Sequence, residues 1–212
     1  MRAVVIGAHL RRDDVEPHAT AIAVGYLFLS ALEIPDEQPV GDRALLLRVA
    51  AMRAKLVEEA TFIAIRYGFV ASSDADAFAK CAAFLPKWKS VLEENRGNVE
   101  MTLKVAATSA QPRPDRRDFT SGADYLRALH AAANAVTIDP EFRRDVEASL
   151  LPLALKHRWS TRDEKSVELA LLTPRERIAQ INSAGESLRR PGVAFMLSGP
   201  WPLEVFADDD HE

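Results

Sequence analysis

The chain has 212 residues, enough for one or two domains and for a hydrophobic core that needs no covalent staples. Apolar residues make up 48% and charged residues 27%, a balance that excludes a disordered or fibrous chain. Its 27 Lys and Arg against 31 Asp and Glu leave a net charge of −4, which argues against sequence-independent nucleic-acid binding, and a lone Cys81 excludes an intramolecular disulfide framework.

Residues 3–6 are β-branched and apolar, end at Gly7, and predict an opening strand. This run is too short for a signal peptide, and the longest weakly polar run, residues 19–32, falls short of the ~20 residues that span a bilayer. A cytoplasmic protein with no membrane segment is expected. Residues 11–18 form a polar loop in which Asp13, Asp14, Glu16 and His18 are solvated. Residues 21–32 are apolar throughout, and periodicity does not choose between strand and helix.

After the break at residues 35–41, Asp42 caps a helix reaching about Ala60, with Leu45, Val49, Met52 and Leu56 on one face. Residues 62–67 are strand-like and stop at Gly68. Ser73 and Asp76 open the next helix in capping-box fashion. Its stripe Phe78, Cys81, Leu85, Trp88 and Leu92 predicts one long helix, kinked at Pro86 and ended by Gly97. On that stripe Cys81 is a small buried hydrophobe rather than a nucleophile.

Beyond Gly97, residues 99–105 alternate apolar and polar, as a half-buried strand does. A proline-bearing connector over 111–118 leads to a helix with the stripe Leu126, Leu129, Ala133 and Val136. Asp139-Pro140 starts a second helix with Phe142, Val146 and Leu150 on one face. Residues 157–161 and 167–172 are strands. Thr173-Pro-Arg-Glu176 supplies an N-cap, a proline at the first helical position and a capping glutamate; Ile178, Ile181 and Leu188 follow. Residues 193–197 form the last strand, and 208–212 an acidic, solvated tail.

The order from residue 99 is strand, helix, strand, strand, helix, strand, the split βαβ order of a ferredoxin-like fold. The expected class is therefore α+β, in two small domains: residues 1–97, and a modified ferredoxin-like domain over 98–212.

No catalytic constellation accompanies this architecture. His9, His18, His130, His157 and His211 lack metal-ligand spacing, and no phosphate-binding glycine motif or nucleophile elbow occurs. The expectation is a non-enzymatic protein with no catalytic, metal or cofactor-binding residues.

Three stretches resemble the gas vesicle protein GvpL/GvpF family. The first is Phe62-Ile-Ala-Ile-Arg-Tyr-Gly-Phe-Val70 with its following helix and Gly97-Asn-Val-Glu-Met-Thr-Leu-Lys-Val105; the second is Ser121-Gly-Ala-Asp-Tyr-Leu126. The third runs from Glu164 to Phe206 and includes Gly199-Pro-Trp-Pro202, the most specific piece. The chain departs from the family pattern at Ala64, where a proline is usual, and at Leu203-Glu204, and it is shorter between Tyr125 and Glu164.

The resemblance implies an accessory protein of gas vesicle assembly in the cytoplasm, associated with the vesicles. The implied partners are the small hydrophobic shell protein and other vesicle accessory proteins. The candidate contact residues are Trp201, Pro202, Arg66 and Trp88. Trp201 either grips an apolar partner or folds back over the sheet, and general burial of large aromatics favours packing. Arg66 is either a binding arginine at a strand end or a structural one paired with a neighbour. The alternative function is a ferredoxin-like ligand-binding or regulatory module no longer tied to gas vesicles.

Overall fold

The computed structural model describes residues 2–16, 18–108, 114–134, 137–163 and 165–207. Two compact units form: residues 1–100 together with the segment from Pro200 onward, and residues 101–199.

In the first unit, β1 (Arg2–His9) is central, with β2 (Thr20–Val24) and β3 (Leu27–Ile34) to one side. The short strands β4 (Ile63–Ala64) and β5 (Val70–Ala71) complete the sheet, ordered β2-β3-β1-β4 with β5 also paired to β1. Val4, Val5, Ile6 and Ala8 are all buried, so both faces of this strand are covered. The apolar run at 21–32 is a hairpin: β2 and β3 pair antiparallel, and Gly25 takes the turn at a φ of +62°. Gly7 sits at a register shift of β1, where a Cβ would lie 2.3 Å from the Phe62 ring, so only glycine leaves that ring its place.

Helix α1 (Arg43–Glu59) starts where expected, with the Asp42 carboxylate accepting from the Ala44 N–H at 3.1 Å. It buries Leu45, Val49 and Leu56. The Ser73 hydroxyl likewise accepts from the Asp76 N–H at 3.1 Å and caps α2. The single kinked helix expected after it is two: α2 (Asp74–Cys81) and α3 (Leu85–Glu94). Pro86 lies in the first turn of α3, where a missing N–H costs nothing, so it begins a helix instead of bending one. Cys81, Leu85 and Leu92 keep the buried stripe, whereas Phe78 is 45% exposed. Gly97 (φ +80°) turns the chain beyond α3, its N–H held at 3.1 Å by the Thr61 hydroxyl.

The second unit is built from β6 (Asn98–Ala106), α4 (Gly122–Asn134), α5 (Pro140–Leu150), β7 (Lys156–Asp163), β8 (Ser166–Pro174), α6 (Ile178–Ser187) and β9 (Phe195–Trp201). Its sheet order, β7-β8-β6-β9, is the ferredoxin-like arrangement, modified by a second helix before β7. One face of β6 and β8 (Met101, Leu103, Val105, Val167, Leu169, Leu171) packs with Phe142, Val146 and Leu150 of α5 and Ile181 of α6. Asp139 caps α5, accepting from the Phe142 N–H at 2.6 Å, and also pairs with Arg190 at 3.1 Å.

Four details differ from expectation. Residues 62–67 form only the two-residue β4, opposite Gly7 and Ala8 of β1, because the chain turns at residue 66, whose carbonyl accepts the Phe69 N–H. Thr173 does not cap a helix: it lies within β8, one residue before its end, and its buried hydroxyl donates to the Leu153 carbonyl at 3.0 Å. The final strand runs through residue 201, so Gly199-Pro-Trp lies in β9 and not after it. Helix α4 forms, but Leu126 is 65% exposed, while Val136, the Ala133 side chain, Pro17 and the acidic tail lie outside the described residues. Among the described residues no helix is long and apolar enough to cross a membrane.

Candidate partner-binding groove

Two of the stretches singled out by motif meet in the first unit, residues 62–70 and the segment just past Trp201, whereas Ser121–Leu126 lies at the start of α4 in the second. Past Trp201 the chain lies beside β4 as a parallel neighbour: the Leu203 N–H donates to the Phe62 carbonyl at 2.8 Å, and the Ala64 N–H donates to the Leu203 carbonyl at 3.0 Å. The next three residues are held by one side chain. The Glu100 carboxylate accepts the backbone N–H groups of Glu204, Val205 and Phe206 at 2.8, 3.1 and 2.9 Å. Glu100 is 2% exposed, and burial pushes its carboxyl above the usual range although the three amides favour the charged form. A buried carboxylate is tolerated when its oxygens are hydrogen-bonded, which is the condition met here.

The segment anchored in this way forms one wall of a surface groove of about 250 Å³. Ile63, Ile65, Phe69 and Leu203 give it an apolar lining, and Phe84 and Trp88 contribute a stacked pair with ring centroids 5.5 Å apart. Phe84 is 51% exposed and Trp88 half-buried, so the pair is open to solvent. Arg66 and Glu204 supply the charge at this groove. Below it, Arg53 of α1 donates to the Ile65 carbonyl; burial lowers its guanidinium, and the Glu204 charge works the other way.

Beneath Phe62, His9 is fully buried and stacked on the Phe62 ring, with centroids 4.9 Å apart. Its Nε2 meets the Ser30 hydroxyl at 2.9 Å, while that hydroxyl donates to the Gly7 carbonyl at 3.4 Å. Since Ser30 has one proton to give, His9 Nε2 carries the ring proton and Nδ1 is left as a buried acceptor with no partner. Burial lowers the imidazole pKa from 6.5 to about 3. A sealed, neutral imidazole of this kind is structural: it has no solvent face on which to take a proton from a substrate.

Of the four candidate contacts, the structure brings Arg66 and Trp88 together in the groove. Arg66 is exposed, and among the described residues its side chain has no hydrogen bond, ion pair or ring contact. Trp201 is 47% exposed and Pro202 buried; neither lines the groove, although Leu203 directly after them does. Sequence reasoning missed Phe84, Phe69 and Glu100. Phe84 lies off the expected helical stripe, so the pattern marks it only as exposed; in the structure it is the residue just before α3, stacked on Trp88. Glu100 stands in the polar phase of an alternating strand, where exposure is the natural expectation. Cys81 is buried, and burial raises its thiol pKa. Among the described residues, no group of three or more His, Cys, Asp or Glu side chains is placed to hold a metal ion.

The whole chain resembles two solved gas vesicle proteins. The GvpF crystal structure from Anabaena sp. PCC7120 matches with a TM-score of 0.67 at 14% identity, covering 99% of this chain and 97% of that one. GvpF from Microcystis aeruginosa matches with a TM-score of 0.65 at 12% identity, covering 97% and 98%. At such identities the likeness establishes the fold. No curated protein sequence gives a significant match. The sequence model of the family described as "Gas vesicle synthesis protein GvpL/GvpF", however, matches residues 16–207, from the loop before β2 to the last residue lining the groove. Spanning nearly all of both units, that match identifies the chain as a member of the gas vesicle synthesis protein GvpL/GvpF family.

Proposed function

We propose that this gas vesicle protein is a non-catalytic assembly factor that binds the small hydrophobic shell protein, and that the groove beside Trp88 is where the shell protein docks. The observation that carries the proposal is an apolar, solvent-open groove with a stacked aromatic pair, one wall of which is pinned by a buried carboxylate. Rigid aromatics bury large apolar area at small entropic cost, which suits a surface that must grip a water-insoluble partner. Walls held by backbone hydrogen bonds are preorganised, so docking does not have to order them. Trp201, half exposed at the end of β9, is proposed as a further contact, and buried Pro202 as the residue that fixes the chain behind it. Other vesicle accessory proteins are proposed partners as well, and the proposed location is the cytoplasm, at growing vesicles. The net charge of −4 gives no support to a nucleic-acid partner.

Co-expression of the tagged chain with the shell protein, followed by affinity capture, tests the proposal. Retention of the shell protein that persists at high salt is expected, because apolar docking is not screened. Failure to retain it at any salt concentration would contradict the reading.

A further inference from the structure

The charges around the groove are not equally matched. Arg53 has a partner in the Ile65 carbonyl, and the charge of Glu204, which shares the groove with Arg66, acts in its favour. The cations on the neighbouring helices are also paired: Lys80 with Asp76 at 2.8 Å and Lys89 with Glu93 at 2.5 Å. Arg66 differs from all of these. It lines the groove and is exposed, and among the described residues it has no acceptor and no aromatic ring beneath it. A guanidinium presents a planar fork of donors that fits a carboxylate through two parallel hydrogen bonds. Next to Phe69, Phe84 and Trp88 such a pair forms in a setting from which an apolar ligand excludes water, and its attraction is stronger there than on an open surface.

We propose, resting on the reading of this groove as a docking site, that its occupant is an apolar protein segment carrying a carboxylate side chain, and that Arg66 is the residue that selects for that carboxylate. Phe84 and Trp88 take up the apolar side chains of the segment. Arg66 fixes its register by engaging the single acidic group among them. An apolar segment without a carboxylate leaves the guanidinium partly desolvated and unpaired, and is discriminated against for that reason.

The test uses the full chain and two synthetic leucine- and alanine-rich peptides with polar, solubilising ends. One carries a central glutamate and the other a glutamine in its place. Isothermal titration calorimetry is expected to show the glutamate peptide binding about tenfold more tightly, the factor that one charge-assisted hydrogen bond supplies. Arg66→Gln should equalise the two peptides by weakening only the first, and Arg66→Lys should restore part of the difference. Phe84→Ser should weaken both peptides alike. Equal affinities on the wild type, or a preference that survives Arg66→Gln, would overturn the inference; if Phe84→Ser still weakens both, apolar docking stands without it. Failure of either peptide to bind until residues 208–212 are removed would assign the groove to the chain's own aspartates and overturn the inference of a separate partner.

Discussion

Glu100 and His9 show how the burial of single polar groups escapes a reading of hydrophobic pattern. Both are sealed from water, and both are explained by partners distant in sequence, Glu204 to Phe206 for one and Ser30 and Phe62 for the other. Glu100→Gln keeps one oxygen, which can still accept the Glu204 and Phe206 N–H groups, but turns an amide NH₂ toward the buried Val205 N–H, and should cost about 2 kcal/mol. Because burial raises the folded-state pKa of Glu100 above 4.5, the folded chain binds the proton more readily than the unfolded one. Its contribution is therefore greatest below pH 4.5 and declines as pH rises through the folded value. Denaturant midpoints of wild type and variant should accordingly differ most at the acidic end.

For His9 the sign is opposite. Its folded pKa of about 3 lies below the unfolded 6.5, so the stability held by the neutral ring is complete above pH 6.5 and is lost as pH falls toward 3. The slope is about 1.4 kcal/mol per pH unit. Thermal unfolding from pH 7 to pH 5 should show this decline in the wild type, and His9→Gln should largely remove it.

At the scale of the element, local signals succeeded wherever a cap or a one-faced stripe governs the outcome. Asp42, Ser73 and Asp139 each accept the backbone N–H expected of them, and the Phe142, Val146 and Leu150 face of α5 is buried as its spacing demands. The failures share one cause, which is competition from partners remote in sequence. The stripe Phe78 to Leu92 is regular enough for one helix, yet tertiary packing uses Cys81, Leu85 and Leu92 and leaves Phe78 facing outward. The Thr173-Pro-Arg-Glu176 capping pattern is intact in sequence, but β8 pairing and the Leu153 carbonyl claim the threonine first. Asp139→Ala tests the energetic side of a successful cap. It removes the acceptor for the Phe142 N–H and one carboxylate facing Arg190, and should lower stability by about 1–2 kcal/mol as read from urea unfolding. Arg190 retains Asp145 at 2.9 Å, so the loss should stay near that of the cap alone.

Over the whole molecule, the second unit was the more legible half. The run of strands and helices from residue 99 allowed the ferredoxin-like order to be inferred, and the sheet order β7-β8-β6-β9 matches it. Less legible was the route of the chain beyond residue 200, where Leu203 pairs beside Ile63 across 140 positions of sequence (203 − 63). No local pattern encodes such a pairing, and the candidate groove depends on it. Arg66 and Trp88 were found through the motifs around them, whereas Phe84 and Glu100 required the fold. We propose that the division expected near Gly97 is one of folding autonomy. Residues 101–199 expressed alone should unfold cooperatively with their helix and strand signal intact, and a broad, non-cooperative melt would contradict that.

The central claim is that a hydrophobic partner docks at Phe84 and Trp88. Burying such side chains contributes about 2 kcal/mol each, so replacing both should remove more than an order of magnitude of affinity. The decisive measurement is the amount of shell protein retained per captured chain for F84S/W88S, with the exposed Leu47→Ser on α1 as the control. The account predicts at least a tenfold loss for the folded double variant and none for the control. Undiminished retention by a folded F84S/W88S variant would contradict it.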